Sequence, residues 1–128
     1  MKSIYAGISL VISLMFSCQQ KSGDFQSVPA EEFAKLIASP EVQRVDVRTL
    51  AEYSDGHIPG SLNINVLDKQ FEAVADSLLQ KDRPVALYCR SGKRSKKAAR
   101  LLSDKGYKVY ELEDGFQSWQ QADLEIEK

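Results

Sequence analysis

This 128-residue sequence has one histidine, two cysteines and no long apolar run beyond residue 16. One His and two Cys cannot by themselves close a structural zinc site. Net charge is scarce as well. Seventeen Lys and Arg against eighteen Asp and Glu leave a formal charge of −1, which argues against a general nucleic-acid binder. No internal repeat or low-complexity tract follows residue 26. What is present is 43% hydrophobic and 27% charged residues, the proportions of an ordinary globular protein rather than a disordered one. The length suits one domain and leaves little room for a second. The near-neutral total hides an asymmetry. Residues 81–108 carry ten Lys and Arg and two Asp, a local charge of +8, and the remainder sums to −9. The basic segment surrounds one of the two cysteines, Cys89.

The N-terminus reads as an address. Met1-Lys2-Ser3 is a short positive start, and Ile4–Phe16 is an uncharged apolar stretch. As a helix it would be roughly 20 Å long, short of the about 30 Å of a bilayer's hydrocarbon core. It suits the h-region of a secretory signal over residues 1–17. Leu14-Met15-Phe16-Ser17-Cys18 resembles a relaxed bacterial lipobox, with Met15-Phe16 as its departure. That resemblance implies lipidation at Cys18 and a mature chain held at a membrane by its N-terminal lipid. Cleavage without lipid and an uncleaved anchor remain open. Residues 18–27, polar and containing Gly23, read as a flexible tether, leaving residues 28–128 as the folded domain. With Cys18 lipidated, Cys89 is a lone thiol in an oxidising compartment, which marks it as reactive. A buried inert cysteine and a Cys18–Cys89 bridge are the alternatives.

Within the domain, Pro29 followed by Glu31, Glu32, Phe33, Leu36 and Ile37 predicts a helix start with an apolar stripe. Gln43–Val47, Leu62–Val66, Val85–Tyr88 and Lys108–Leu112 read as strands. Thr49–Asp55, Phe71–Leu79, Ser95–Asp104 and Gly115–Gln121 read as helices. Phe71, Val74, Ala75 and Leu78 are expected on one buried face, and Ala98, Ala99, Leu101 and Leu102 on another. Trp119 reads as a packing anchor. Alternating strands and helices predict an α/β domain with a parallel sheet.

The chemistry concentrates in Cys89-Arg90-Ser91-Gly92-Lys93-Arg94-Ser95, between the buried strand and a helix. α/β proteins place ligands beyond the carboxyl ends of such strands. Successive N–H groups of a tight loop form an anion nest, Gly92 permits the left-handed turn, and the helix N-terminus adds free donors. A free thiol ionises near 8.5. A helix dipole is worth about 0.3–1 kcal/mol and at most about 2, which lowers that value by about one and a half at best. Neutral-pH ionisation therefore also needs N–H bonds to sulfur or adjacent cations. Cys89 is the candidate nucleophile. Arg94 is expected in the anion pocket, and Lys96, Lys97 and Arg100 on a solvated helix face.

Four motifs resemble the rhodanese (sulfurtransferase) family, in its single-domain form, over about Val28 to Trp119. They are Asp46-Val47-Arg48 with Glu52-Tyr53, Gly56-His57-Ile58-Pro59-Gly60-Ser61-Leu62-Asn63-Ile64, Cys89 to Ser95 as Cys-x-x-Gly-x-Arg-Ser, and Leu112-Glu113-Asp114-Gly115 reaching Trp119. Ser61 stands where the family commonly has Ala, a difference small enough to ignore. Asp114 stands for a Gly, and is expected to tighten a turn near the active loop. The resemblance implies a rhodanese-like five-stranded parallel sheet flanked by helices on both faces. It implies a persulfide on Cys89, substrate binding by Arg90, Ser91, Gly92, Lys93, Arg94 and Ser95, and structural support from Asp46, Arg48, Glu52 and His57. No metal or organic cofactor is implied.

Rhodanese-like folds also include phosphatases and arsenate reductases, whose loops need Cys-x5-Arg to clamp a tetrahedral oxyanion. Cys89 to Arg94 is Cys-x4-Arg, a smaller bowl suited to one sulfur atom. The expected activity is therefore sulfane transfer from thiosulfate or a related anion to a thiol or cyanide. A non-catalytic binding or thiol redox-sensing module is the alternative. A monomer on the periplasmic face of a bacterial membrane, with no nucleic-acid partner, completes the expectation.

Overall fold

The computed structural model describes residues 24–128. The expected signal at residues 1–17, lipidation at Cys18 and the tether as far as residue 23 lie outside the described residues. The ordered elements alternate. They are β1 (Gln26–Val28), α1 (Ala30–Ile37), β2 (Gln43–Asp46), α2 (Leu50–Asp55), β3 (Leu62–Asn63), α3 (Phe71–Leu78), β4 (Val85–Tyr88), α4 (Lys93–Asp104), β5 (Val109–Leu112) and α5 (Gly115–Gln121). The five strands form one parallel sheet in the order β1-β5-β4-β2-β3. No helix among the described residues is long and apolar enough to cross a membrane.

β4 lies at the centre because its four residues are all apolar and all buried, as a strand covered on both faces requires. Its alternation divides the core. Val85, Leu87 and Cys89 join Val45, Ala98, Ala99 and Leu102 in a cluster that α3 and α4 cover. Ala86 and Tyr88 point the other way, into a cluster with Phe33, Ile37, Phe116 and Trp119 from α1 and α5. Helices thus cover both faces, as the family resemblance implies. Phe33 is fully buried and meets both Tyr88 and Trp119 edge-on. Trp119 is the packing anchor expected of it, with its indole N–H donated to the Glu125 carbonyl at 2.8 Å.

The element boundaries have local causes. α2 opens on a capping box, with the Thr49 hydroxyl and the Glu52 carboxylate each bonded to the other residue's backbone N–H. α4 begins at Lys93, two residues before the expected start, because Gly92 caps it in the left-handed region at φ 108°. It stops where Gly106 again turns left-handed and Tyr107 N–H bonds back to the Leu102 carbonyl. The regular part of β3 ends at Asn63, yet Ile64 and Val66 still donate to the Asp46 and Val47 carbonyls at 2.9 and 3.0 Å. The strand expected to Val66 thus continues as an irregular run beside β2.

Two expectations are corrected. Gln26 and Ser27 belong to the sheet as β1, paired with Tyr110 and Glu111, and Phe25 packs against the core; the tether does not reach Ser27. A three-residue edge strand is too short to show a hydrophobic period. On α3, only Phe71 and Ala75 of the expected face are buried, whereas Val74 and Leu78 are 37% and 52% exposed. β3 is two residues long, so the sheet ends before it can cover the outer flank of α3, and Leu79 turns inward in place of Leu78.

Phe33→Ala should lower unfolding stability by about 3–5 kcal/mol, and Leu78→Ala by no more than about 0.5 kcal/mol. Urea titrations with unchanged slope would measure both. A Leu78 loss equal to that of Phe33 would contradict the division of the core.

Candidate active site

Cys89 directly follows the carboxyl end of β4, and the chain turns through Arg90, Ser91 and Gly92 into α4. Gly92 donates its N–H to Cys89 Sγ at 3.1 Å, and the thiol donates to Ser95 Oγ at 3.4 Å. The loop takes this shape because α5 holds it from behind. Phe116 N–H binds the Cys89 carbonyl at 2.8 Å and Gln117 N–H binds the Arg90 carbonyl at 3.1 Å. These are first-turn donors of α5 that no residue of its own helix can satisfy. With the two carbonyls drawn outward, the N–H groups that follow turn toward the sulfur, forming a nest.

Glycine is required at two points. A Cβ on Gly92 would lie 2.1 Å from the Glu113 carbonyl oxygen, and one on Gly115 (φ 68°) would lie 2.4 Å from the Arg90 carbonyl. Asp114 has φ −105°, an ordinary value, and its exposed side chain makes no capping bond. It therefore replaces glycine at no backbone cost, but it does not tighten the turn as expected.

Cys89 is 1% exposed. Burial pushes its thiol up. The Ser95 hydroxyl and the N–H groups of Ser95, Gly92 and Ser91 more than offset this and leave it below the ordinary cysteine range. Arg94 lies at the rim, half-buried and paired bidentately with Glu52 at 2.7 and 2.9 Å. Hydrogen bonds from Arg94, resisted by partial burial and helped by Thr49, lower the Glu52 carboxyl to about 2. The guanidinium is thus committed to Glu52. A neighbouring cavity of about 330 Å³ is lined by Arg90, Arg48, Glu52, Phe116 and Gln117 among others, but not by Arg94 or Cys89. Arg90, Ser91 and Lys93 are exposed around the loop.

The four expected supporting residues tie neighbouring loops together. Asp46 is fully buried, accepts two bonds from Arg48 Nε and one from Nη2, and also accepts the Arg48 backbone N–H. Arg48 Nη2 reaches on to the Gly56 carbonyl at 2.7 Å, and its guanidinium lies 4.4 Å from the centre of the Phe116 ring. His57 stacks on Tyr53 at 3.7 Å and bonds the Tyr53 carbonyl and Glu127. Both of its ring nitrogens are thus engaged, one by Tyr53 and one by Glu127.

Four residues have roles that sequence reasoning missed. Ser61 is not interchangeable with Ala, because its buried hydroxyl donates to the Ile58 carbonyl and contacts the Tyr88 hydroxyl at 3.0 Å. Lys96 is not a solvated cation. Its ammonium bonds the Gly92 and Glu113 carbonyls and pairs with Glu111 at 3.1 Å. Glu127 joins the C-terminal segment to His57 and Gly60. Glu111 is a fully buried carboxylate in β5, and the available signal was a charge inside a strand expected to be covered on both faces. Lys97 and Arg100 are exposed, as expected.

The rhodanese-like domain family matches residues 29–122. The chain is 32% identical over 100 residues to the thiosulfate sulfurtransferase GlpE of Shewanella oneidensis, covering 77% of this chain and 95% of that protein. It is 38% identical over 106 residues to the HTH-type transcriptional regulator Rv0324 of Mycobacterium tuberculosis, covering 80% of this chain but only 45% of that longer protein. The crystal structure of a rhodanese-related protein from Thermoplasma volcanium superposes with a TM-score of 0.71 at 27% identity, covering 80% of this chain and 98% of that one.

Arg94→Ala should return the Glu52 carboxyl from about 2 toward its ordinary 4.5, read from its side-chain carbon resonance against pH. Because the folded value is the lower one, the pair's stabilisation is full above the unfolded value and is lost as pH falls toward 2. Acid unfolding of Arg94→Ala should therefore lack that component. An unmoved Glu52 titration would contradict the pairing.

Proposed function

The chain belongs to the rhodanese-like domain family, and from that premise we propose that it is a sulfurtransferase whose carrier is Cys89. The observation that carries this reading is the Gly92 N–H at 3.1 Å from the sulfur, in a loop whose neighbouring carbonyls are held outward by α5. Such a cup stabilises a thiolate and then the terminal anionic sulfur of a persulfide.

The reaction has two displacements. The Cys89 thiolate attacks the outer sulfur of thiosulfate or a related sulfane donor. A new S–S bond forms to Cys89 while the donor's S–S bond breaks, and sulfite leaves with the electron pair. An acceptor thiolate or cyanide then attacks the outer persulfide sulfur, and Cys89 recovers its thiolate. No net oxidation of the protein occurs, and ping-pong kinetics follow. Arg90 and Lys93, exposed beside the loop, attract the donor's anionic end. Arg94 braces the rim through Glu52.

Two features support sulfur over phosphate chemistry. The loop is one residue shorter than Cys-x5-Arg, and the Arg94 fork is already engaged bidentately by Glu52, leaving it unavailable to clamp an oxyanion. The signal-like residues 1–17 and the lipobox-like Cys18 support export and lipid attachment at the periplasmic face of a bacterial membrane. A monomer acting on small anions and thiols, without nucleic acid, fits the same reading.

Cys89→Ser should abolish thiosulfate:cyanide turnover, and mass spectrometry of donor-treated wild type should show one added sulfur atom, removed again by cyanide. Peroxide reactivity without that adduct for any donor would favour a redox-sensing module and overturn the transferase reading.

A further inference from the structure

From Cys89 a polar chain runs through Ser95 to β5 that sulfur transfer alone does not require. The thiol donates to Ser95 Oγ at 3.4 Å, and Ser95 donates its only hydroxyl proton to Glu111 Oε2 at 2.6 Å. Glu111 is fully buried. Its other oxygen accepts from Ser27 Oγ at 2.5 Å and pairs with the Lys96 ammonium at 3.1 Å. A carboxylate in such a place is rare unless it is paired and fully bonded, and here the partners come from β1 (Ser27) and the first turn of α4 (Ser95 and Lys96).

We propose that Glu111 is a positioning residue that governs the ionisation of Cys89 by controlling the direction of the Ser95 hydroxyl. While Glu111 is charged, it holds the Ser95 proton. In that arrangement Ser95 Oγ accepts from the thiol and withholds from the sulfur the hydroxyl bond that lowers its pKa when Ser95 donates to it, and the carboxylate itself stands two hydrogen bonds away as a like charge. When the sulfur becomes anionic, Ser95 must turn its proton from Glu111 to Sγ to stabilise it. The two groups therefore compete for one proton donor.

The surrounding charges fit this competition. Lys96 on α4 neutralises the far oxygen of Glu111. The N–H groups of Ser91, Gly92 and Ser95 act on the sulfur from the loop and the start of α4, and Arg94 adds a positive field although Glu52 pairs it. From β1 comes only the neutral Ser27 hydroxyl. Asp46 on β2 is paired with Arg48. The charge balance at the sulfur is thus set by the loop on one side and by Glu111 on the other.

The proposal deepens the reading of Cys89 as the nucleophile, but its test uses alkylation and does not require sulfur transfer. The rate of Cys89 alkylation by iodoacetamide is followed against pH in the purified full chain. Glu111→Gln keeps the size of the side chain, still accepts from Ser27, and can donate to Ser95, which frees the Ser95 proton for sulfur. Its alkylation midpoint should fall by on the order of one pH unit. On a Ser95→Ala background the same substitution should move the midpoint by less than half as much, because the shared donor is gone. A midpoint that stays or rises in Glu111→Gln overturns the proposal, and a full shift without Ser95 overturns the path through it. If Glu111→Gln does not fold, the wild type serves. The Glu111 side-chain carbon resonance should step at the pH where Cys89 ionises and lose that step in Cys89→Ala. A step that is missing in wild type, or that survives in Cys89→Ala, overturns the proposal.

Discussion

Two hydrogen bonds from the first turn of α5 hold the site together. Phe116 and Gln117 take the carbonyls of Cys89 and Arg90, and this forces the peptide units of the following turn to face the sulfur with their N–H groups. The arrangement answers two needs with one contact. The helix's unpaired donors find acceptors, and the loop gains the concave donor surface that an anion needs. Close approach of the two segments explains why Gly92 and Gly115 carry no side chain, since a methyl group at either would overlap backbone atoms. The cup is thus a property of packing between β4, α4 and α5, rather than of the loop residues alone.

The basic residues divide into distinct tasks. Arg94 and Arg48 are structural cations, each engaged with a carboxylate. Lys96 binds loop carbonyls and the buried Glu111. Only Arg90 and Lys93 of the immediate loop are left exposed to a donor. A segment of high positive charge therefore places few free cations near the thiol, and the Ser95 hydroxyl and main-chain N–H groups, not side-chain cations, favour its ionisation. Burial opposes that ionisation, and the direction of the Cys89 shift shows which effect wins. The Cys89–Ser95–Glu111 chain places a second control on the same balance.

Much of this was legible in the residues. Val85–Tyr88 is apolar without interruption and became the central strand. Cys89, Gly92 and Ser95 have the spacing of a turn into a helix and meet around one sulfur. What the sequence concealed were partners from distant segments. Ser61 reaches Tyr88, His57 reaches Glu127, and Ser95 reaches Glu111, contacts that local pattern cannot show. Arg94 looked like a pocket residue because of its spacing from Cys89. Its bond to Glu52 depends on a helix cap forty residues earlier in the chain. The inward face of α3 was misread because periodicity gives a stripe but not the width of the sheet beneath it, and β1 was missed because three residues make no pattern.

The central claim is that the Ser95 hydroxyl and the main-chain donors overcome the burial of Cys89 and make it more acidic than a free cysteine. Ultraviolet absorbance of the thiolate, recorded against pH for the wild-type domain with Cys89→Ser as the blank, measures this directly. A midpoint clearly below the 8.5 of a free cysteine agrees with the account. A midpoint at or above that value would mean that burial wins, and the cup would have no claim to the chemistry given to it.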